Sequence, residues 1–377
     1  MNEVSEESPL SHPLIHSAFF LAYVAVFLGA TIGNIVILVV FVSQRRTRSV
    51  TNFFLCNLTV ADLLVGLLCV IQNGAQFVLF EHGSWPFGSF LCYTYIYTLH
   101  MLPNVSAGIL VLVSVERLVA VYRPLKVRRY FRRKVLVSGA AFVWICSALM
   151  NIPYFFASQH MQFNDGKETF SMCSRRHIEF RGVNVLKLVT IVNFAVWYAA
   201  PLLTLLFIYA AIGLVVSRAA DISNSARNKL LSNGSNHSKI GCRTDSSSGG
   251  VSIEKRRKVG RLSLGIVSSF ALCSLPRYVY LMWTVWRDPT APRCINCLQS
   301  VLQPISFLLL FLNSALNPFL YAFLSIRFRQ CIKDTFQCRV KKRDATFELR
   351  SQQAGQLRRQ PGVSEGDTAY DTDVRFQ

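Results

Sequence analysis

One carboxylate, Asp62, lies inside an otherwise apolar run near residues 52–79. An ionised group in hydrocarbon is costly unless polar partners or water meet it. Asn34, Ser106, Asn313 and Asn317 stand in other apolar runs and can supply such partners. A carboxylate with amide and hydroxyl oxygens suits a small hard cation such as sodium. The same groups also serve as a hydrated cluster that only packs helices. One cation, Arg277, follows Pro276 in the run near 259–286. Three roles fit it: a head group reaching the interface, an internal ion pair, or recognition of an anionic ligand group. His100 is a second polar candidate, with ordinary packing as its alternative.

The elements that must position these groups are seven apolar runs. They lie near residues 19–43, 52–79, 90–121, 135–157, 187–216, 259–286 and 298–323. A membrane helix needs about 20 mostly apolar residues, whereas barrel strands need only about 10 with strict alternation. The expected fold class is therefore an all-α membrane protein. Composition agrees: 52% of the 377 residues are hydrophobic and only 16% are charged, despite a net charge of +20. A nucleic-acid binder with that excess would carry far more charge. A disordered chain would not hold 12% aromatic residues. Met1–Ser17 contains Glu3, Glu6 and Glu7 but no Lys or Arg, so no cleavable signal peptide is expected.

The basic residues predict orientation. With the N-terminus outside, the outer segments hold seven Lys/Arg and eight Asp/Glu, and the inner segments 32 and 11. That asymmetry places the N-terminus outside and the C-terminus inside. Arg123 to Lys134 alone holds seven basic residues. The third inner loop, about 217–258, is rich in Ser, Asn and Gly and is expected to be flexible; it ends in Lys255-Arg256-Arg257-Lys258. Prolines inside the runs, at 103, 153, 201, 276, 304 and 318, each free a backbone carbonyl and can kink a helix.

Eleven cysteines are present. Cys92 and Cys173 both fall on the outer, oxidising side, which permits a bridge. Cys294 and Cys297 form a CxxC pair that fits a small loop disulfide better than a metal site lacking further ligands. Cys331 and Cys338 follow the last run among basic and aromatic residues, where S-palmitoylation and free thiols are both open. Between Ser325 and Cys338, Phe328, Ile332 and Phe336 recur every four residues beside Arg327, Arg329 and Lys333. That pattern predicts an amphipathic helix lying on an anionic leaflet.

Several motifs coincide in order and spacing over residues 18–338. They are Gly33-Asn34, Leu58-Thr59-Val60-Ala61-Asp62, Trp85-Pro86-Phe87-Gly88 ahead of Cys92, Glu116-Arg117-Leu118, Trp144, Pro201 with Tyr209, and Asn317-Pro318-Phe319-Leu320-Tyr321. Together they resemble the rhodopsin-like (class A) G-protein-coupled receptors. The resemblance implies a seven-helix bundle over 19–323, a short eighth helix over 324–338 and a flexible tail over 339–377, after an extracellular N-terminus over 1–18. It implies a Cys92–Cys173 disulfide. It also implies a sodium pocket of Asp62, Ser106, Asn313 and Asn317. Arg117 would meet a heterotrimeric G protein, beside Glu116 and with Tyr209 and Tyr321 swinging towards it. Pro201, Ala107 and Phe270 would connect the ligand pocket to the inner face, with Pro276, Asn317 and Pro318 sharing in activation. Localisation at the plasma membrane follows, and enzymatic activity does not.

This sequence departs from the family pattern at three points. The sixth-span CWxP motif reads Cys273-Ser274-Leu275-Pro276, so a serine replaces the pivotal tryptophan. Leu118 replaces the tyrosine of the triplet. Arg256 stands where many members carry an acid that pairs with Arg117, which predicts raised basal signalling. The third-span amine-binding acid is Leu99 and the retinal-binding lysine is Phe311, so neither an amine nor retinal is expected. The inferred ligand pocket holds Leu99, His100, Pro103, Asn193, Trp197, Arg277, Tyr278, Gln303 and Phe307. Aromatic walls, one cation and a long outer loop with Arg175, Arg176 and Arg181 suit a peptide. A small anionic metabolite or lipid acid is the alternative, and a constitutively active receptor a third. Thr368 and Thr372, among acidic residues, could take phosphates from receptor kinases and recruit arrestin. No repeat suggests a transporter and no clustered catalytic set suggests a membrane enzyme.

Overall fold

Among the described residues, seven helices are long and apolar enough to cross a membrane. The computed structural model describes residues 10, 12–43, 50–80, 84–123, 126–164, 169–176, 178–232, 247–286, 298–324, 329–330, 332 and 335. Helix α1 spans Pro13–Ser43, α2 Asn52–Leu79, α3 Gly88–Tyr122, α4 Arg133–Ala157 and α5 Val185–Val215. Helix α6 spans Ser247–Trp286 and α7 Leu298–Leu324. The chain divides into a unit over residues 1–329, which holds the bundle, and a second over 330–377.

Apolar side chains cover the outside of the bundle. Leu21, Val42, Phe142, Phe207 and Leu272 are each between 66% and 77% exposed. A wall of that kind matches hydrocarbon rather than water, as the seven apolar runs require. Helix α3 packs against α2, α4 and α5, and α7 against α1 and α6. Asp62, Asn73, Asn104, Ser106 and Asn317 are all buried, so the polar residues face inward and meet one another there.

Small residues set the closest approaches. A Cβ on Gly108 would fall 2.6 Å from Val143 Cγ1 and 3.0 Å from Trp197 Cζ3, so α3 meets α4 and α5 there backbone-close. A Cβ on Gly33 would fall 2.8 Å from Pro318 Cγ, which explains the pairing of that glycine with the α7 proline. Gly108→Val should overpack the α3–α4–α5 crossing by about 1–3 kcal/mol and lower the thermal midpoint of the purified protein. Gly139→Ala is the control, because its Cβ would meet only Leu112 at 3.7 Å. Equal midpoints for the two variants would show that the crossing relaxes freely.

Backbone irregularities follow from local chemistry. Pro201 has no N–H to offer the Trp197 carbonyl, and α5 widens into a π turn over Ala195–Ala199 just before it. The first helix begins at Pro13 rather than near 19, since proline at the first helical position costs no hydrogen bond. Residues 217–232 and 247–258, expected within a flexible loop, instead continue the flanking helices. The Ala, Arg, Leu and Lys content of 217–232 favours extending a helix that is already nucleated.

The bundle is not purely helical. Strands β1 (Ser158–Asn164) and β2 (Thr169–Arg175) form an antiparallel hairpin that pairs His160 with Cys173. Cys173 is bonded to Cys92 at the start of α3. Trp85 N donates to Ser171 O at 2.7 Å, and the Ser171 hydroxyl donates back to Trp85 O. The Trp85 ring is fully buried, with Tyr95 stacked on it at 5.1 Å between centroids. A second hairpin, β3 (Glu179–Phe180) with β4 (Val183–Asn184), turns through Arg181 and Gly182, both at positive φ. Two positive-φ residues match the right-handed twist of the strands they join.

Candidate functional site

Below the β1–β2 hairpin a cavity opens between the helices. It is lined by Leu99, His100, Pro103 and Asn104 from α3, Tyr154 from α4, and Thr190 and Asn193 from α5. Arg277, Tyr278 and Leu281 from α6 and Leu310 from α7 complete the wall. At about 20 Å³ it has room for roughly one water, so a larger group enters only as side chains yield. Six of the nine expected residues line it. Phe307 lies behind the cavity, its ring 3.7 Å below the Arg277 guanidinium. Gln303 is turned away and accepts a hydrogen bond from Tyr280 at 3.2 Å. Trp197 is buried beside Gly108, where α3 and α5 cross.

Arg277 is 4% exposed, so its head does not reach a surface. It rests on Phe307 and approaches the Tyr280 ring at 5.7 Å. Its Nη1 has no hydrogen-bond acceptor. The only ion pair among the described residues joins Glu116 and Arg117, so no described carboxylate neutralises Arg277. Interface-seeking and an internal ion pair are therefore not its roles among these residues. His100 is fully engaged. Its ring stacks on Tyr154 at 3.8 Å, Nδ1 lies 2.9 Å from Ile96 O, and Nε2 lies 3.5 Å from Arg175 Nη1. Because Nδ1 must donate to the carbonyl, Nε2 of the neutral ring is left to accept from the guanidinium.

Deeper in the bundle the Asp62 carboxylate joins three helices. Oδ1 accepts from Ser106 at 3.2 Å and from Ser314 at 2.9 Å, and Oδ2 accepts from the Asn317 amide at 2.7 Å. Ser314 was not among the expected residues; it shares a face with Asn317, three positions on. Asn34 serves a different purpose. Its amide donates to Ala30 O at 2.8 Å and to Ser314 O at 3.2 Å, tying α1 to α7 instead of meeting Asp62. The Oδ1 atoms of Asn313 and Asn317 are buried without donors. A carboxylate, two hydroxyls and the uncommitted amide oxygen of Asn317, with Asn313 beside Ser314 in the chain, make the oxygen-rich set a hard monovalent cation takes, so the residues fit sodium. Asp62, Ser106, Asn313 and Asn317 would hold it with Ser314, and its charge would offset the buried carboxylate.

At the far end of α3, Glu116 is buried and pairs with Arg117 at 3.7 Å. The Tyr209 hydroxyl lies 2.9 Å from Ser114 Oγ and links α5 to α3 one turn from Arg117. The family model for the 7 transmembrane receptor (rhodopsin family) matches residues 33–321. The chain belongs to the rhodopsin-family seven-transmembrane receptors. It is thus a receptor and a multi-pass membrane protein, not an enzyme. It is 25% identical to the trissin receptor of Drosophila melanogaster, over 86% of this chain and 67% of that one. It is 26% identical to the Drosophila neuropeptide CCHamide-1 receptor, over 84% of this chain and 60% of that one. The mouse neuropeptide FF receptor 2 is also 26% identical, over 88% and 76%.

The receptor solves the missing tryptophan of its sixth helix in an unexpected way. Ser274 is buried, and Phe270 and Tyr278 stand one turn to either side of it. Tyr198 of α5 lies between them, 5.9 Å from Phe270 and 4.9 Å from Tyr278. Aromatic bulk that one residue would supply is thus shared by α5 and α6. A polar chain runs beside it. Asn104 donates to Asn193 Oδ1 at 2.6 Å, and the Tyr278 hydroxyl donates to Asn104 Oδ1 at 3.3 Å. This joins α3, α5 and α6 under the cavity floor. Asn104→Leu strands a buried oxygen on Asn193 and should lower the thermal midpoint by an amount worth about 1–3 kcal/mol. Tyr278→Phe should cost less than half of that. Matching midpoints for Asn104→Leu and the parent would show that this chain holds nothing together.

Asn104, Tyr154, Thr190, Leu281 and Leu310 were missed as cavity residues. Asn104 was visible in the sequence only as a polar residue inside a span. Pro276 and Pro318 lie within α6 and α7 as expected. The side chains of Tyr321 and Arg256, the cysteines Cys294, Cys297, Cys331 and Cys338, and all but a few positions of the expected eighth helix fall outside the described residues.

Proposed function

We propose that the receptor lies in the plasma membrane with its N-terminus outside, binds an extracellular peptide at the hairpin end, and activates a heterotrimeric G protein at the Arg117 end. The observation that carries the ligand assignment is Arg277: a buried cation on the cavity wall with no carboxylate partner among the described residues. Leaving a charge so placed is costly unless a ligand completes it. Relatives named for trissin, CCHamide and neuropeptide FF support a peptide. A peptide terminus or side chain entering past the hairpin would meet Arg277, His100 and Asn193 together.

Binding acts by shifting a population. A ligand that parts α5 from α6 loosens the Tyr198–Tyr278 contact and favours a state in which the inner ends of these helices separate. Arg117 then faces the G protein, with Tyr209 released from Ser114. The Asp62 cluster with Ser106, Ser314 and Asn317 opposes this by tying α2, α3 and α7 together, and a sodium ion held there would supply the charge that offsets the carboxylate. Arg256 in place of an acid removes one restraint on the inner ends, so basal signalling is raised and Arg256→Glu lowers it. An unchanged second-messenger level in that variant would sink the basal-activity reading. Phosphorylation at Thr368 and Thr372 by receptor kinases, arrestin capture, palmitoylation at Cys331 and Cys338, and a Cys294–Cys297 bridge complete the proposal. Membrane lipids are the remaining partners; nucleic acid is not one.

The narrow cavity favours one second reading, a small anionic metabolite or lipid acid. A peptide library applied to receptor-bearing membranes, read by nucleotide exchange on purified G proteins, decides between them. A peptide agonist whose potency depends on many positions of the β1–β2 hairpin is the expected result. Activation by small acids alone would favour the second reading.

A further inference from the structure

We propose that Arg175 and Arg277 together form an anion clamp, so the ligand delivers a free carboxylate, not an amidated end, to the cavity. This rests on the receptor reading above and narrows its ligand class. Three arginines follow the disulfide in the hairpin segment, but only one is aimed inward. Arg176 and Arg181 are exposed, and Arg181 covers the Phe180 ring. Arg175 is half-buried and its Nη1 reaches His100 Nε2 at 3.5 Å.

The covalent frame explains this placement. Cys173 and Arg175 share one face of β2, because strand side chains alternate. Cys92, bonded to Cys173, starts α3, and His100 lies eight residues further along it, about 12 Å down the helix. Two strand residues plus an arginine side chain cover that drop. The disulfide therefore hangs Arg175 beside the same His100 that lines the cavity with Arg277. The two guanidinium charges are near enough to repel.

Nothing described offsets them. Asp62 is committed to Ser106, Ser314 and Asn317, and Glu116 to Arg117. Glu179 and Asp221 are exposed. His100 cannot help, since its Nδ1 proton is spent on Ile96 and its Nε2 already accepts from Arg175. Two mutually repelling forks beside one cavity are a poor receiver for a neutral amide and a strong one for a carboxylate, which can accept from both. The carboxylate can come from a peptide C-terminus, from an Asp or Glu side chain, or from a small organic acid.

Full-length receptor in membranes would be screened by nucleotide exchange with four probe sets. These are peptide pools with free C-termini, the same pools amidated, amidated pools lacking Asp and Glu, and a panel of N-acetyl amino acids and fatty acids. Agonists are expected only where a carboxylate is present. Loss from amidated pools assigns it to the C-terminus, and loss only from acid-free pools assigns it to a side chain. For such an agonist, Arg277→Gln should raise the half-maximal concentration about 30-fold or more. Arg175→Gln should raise it about 10-fold, and its place on a surface strand keeps the bundle intact. Converting the agonist's carboxylate to an amide should cost the parent as much but the Arg277→Gln variant little more. Activation by an amidated, acid-free peptide, or equal losses for acid and amide forms in the variants, would overturn the clamp and leave the peptide reading standing. Activity confined to small acids would keep the clamp and overturn the peptide reading. Silence of all four sets would overturn both.

Discussion

Cys173→Ser should leave seven helices inserted and yet remove most of the ligand response. The bond to Cys92 closes a loop from the end of α4 back to the start of α3. With the helices held by the membrane, the segment released is roughly 15 residues, a closure worth about 3 kcal/mol by chain entropy. Two other ties survive the substitution: the pair of hydrogen bonds between Trp85 and Ser171, one backbone and one from the serine hydroxyl, and Arg176 N on Ala157 O at 2.8 Å. They keep β2 near the bundle but do not fix the depth of Arg175. Agonist potency should therefore fall by two orders of magnitude or more, while receptor at the cell surface, counted by an N-terminal epitope, falls only several-fold. Cys146→Ser, on the lipid-facing helix α4, should match the parent in both measurements. Full potency in Cys173→Ser would mean that Trp85 and Ser171 alone position the strand.

Asp62→Asn should abolish any effect of sodium on the receptor. In the parent, replacing N-methylglucamine chloride with sodium chloride should raise the thermal midpoint of purified receptor by several degrees. Ligation of the folded state at ten to a hundred times its dissociation constant contributes about 1–3 kcal/mol. The substitution removes the charge and turns one carboxylate oxygen into an amide nitrogen. That nitrogen faces the Asn317 amide, now 2.7 Å from Oδ2, so two donors meet unless one side chain flips. The variant should show equal midpoints in the two salts. A parent that ignores sodium, or a variant that keeps the shift, would sink the cation reading of this cluster. Ser314→Ala, which removes one hydroxyl and no charge, should weaken the sodium dependence without eliminating it.

The two predictions draw on different kinds of legibility. Seven apolar runs fixed the number and order of the helices, because crossing a bilayer makes a demand that can be counted along the chain. Motif spacing found Asp62 and Asn317, since each belongs to a local pattern, and Ser106 stood out as a polar residue in an apolar run. It did not find Ser314, whose role depends on the pitch of α7, nor did it show that Asn34 serves α7 and not Asp62. The cavity was read less completely. His100 and Arg277 stood out as rare polar residues in apolar runs, but Tyr154 and Thr190 enter only through the level at which α4 and α5 pass α3. Gln303 and Phe307 were assigned to the wall by position; Gln303 turned to Tyr280 and Phe307 went beneath Arg277. The hairpin was read as plain loop, although residues 169–172 alternate. The helical extensions of α5 and α6 were hidden by the Ser, Asn and Gly content between them.

The length of α6 has a mechanical meaning. Its 40 residues run about 60 Å, twice the thickness of the hydrocarbon layer. Pro276, beside the cavity, divides it unequally: about 15 Å to Trp286 on one side and about 30 Å to Arg256 on the other. If the proline is the fulcrum, motion at the short arm is doubled at the long one. A rotation of about 10° would carry the basic tip about 5 Å, one helical turn, for half that displacement at the ligand end. A ligand need move its end of this lever only slightly for the far end of α6 to feel it.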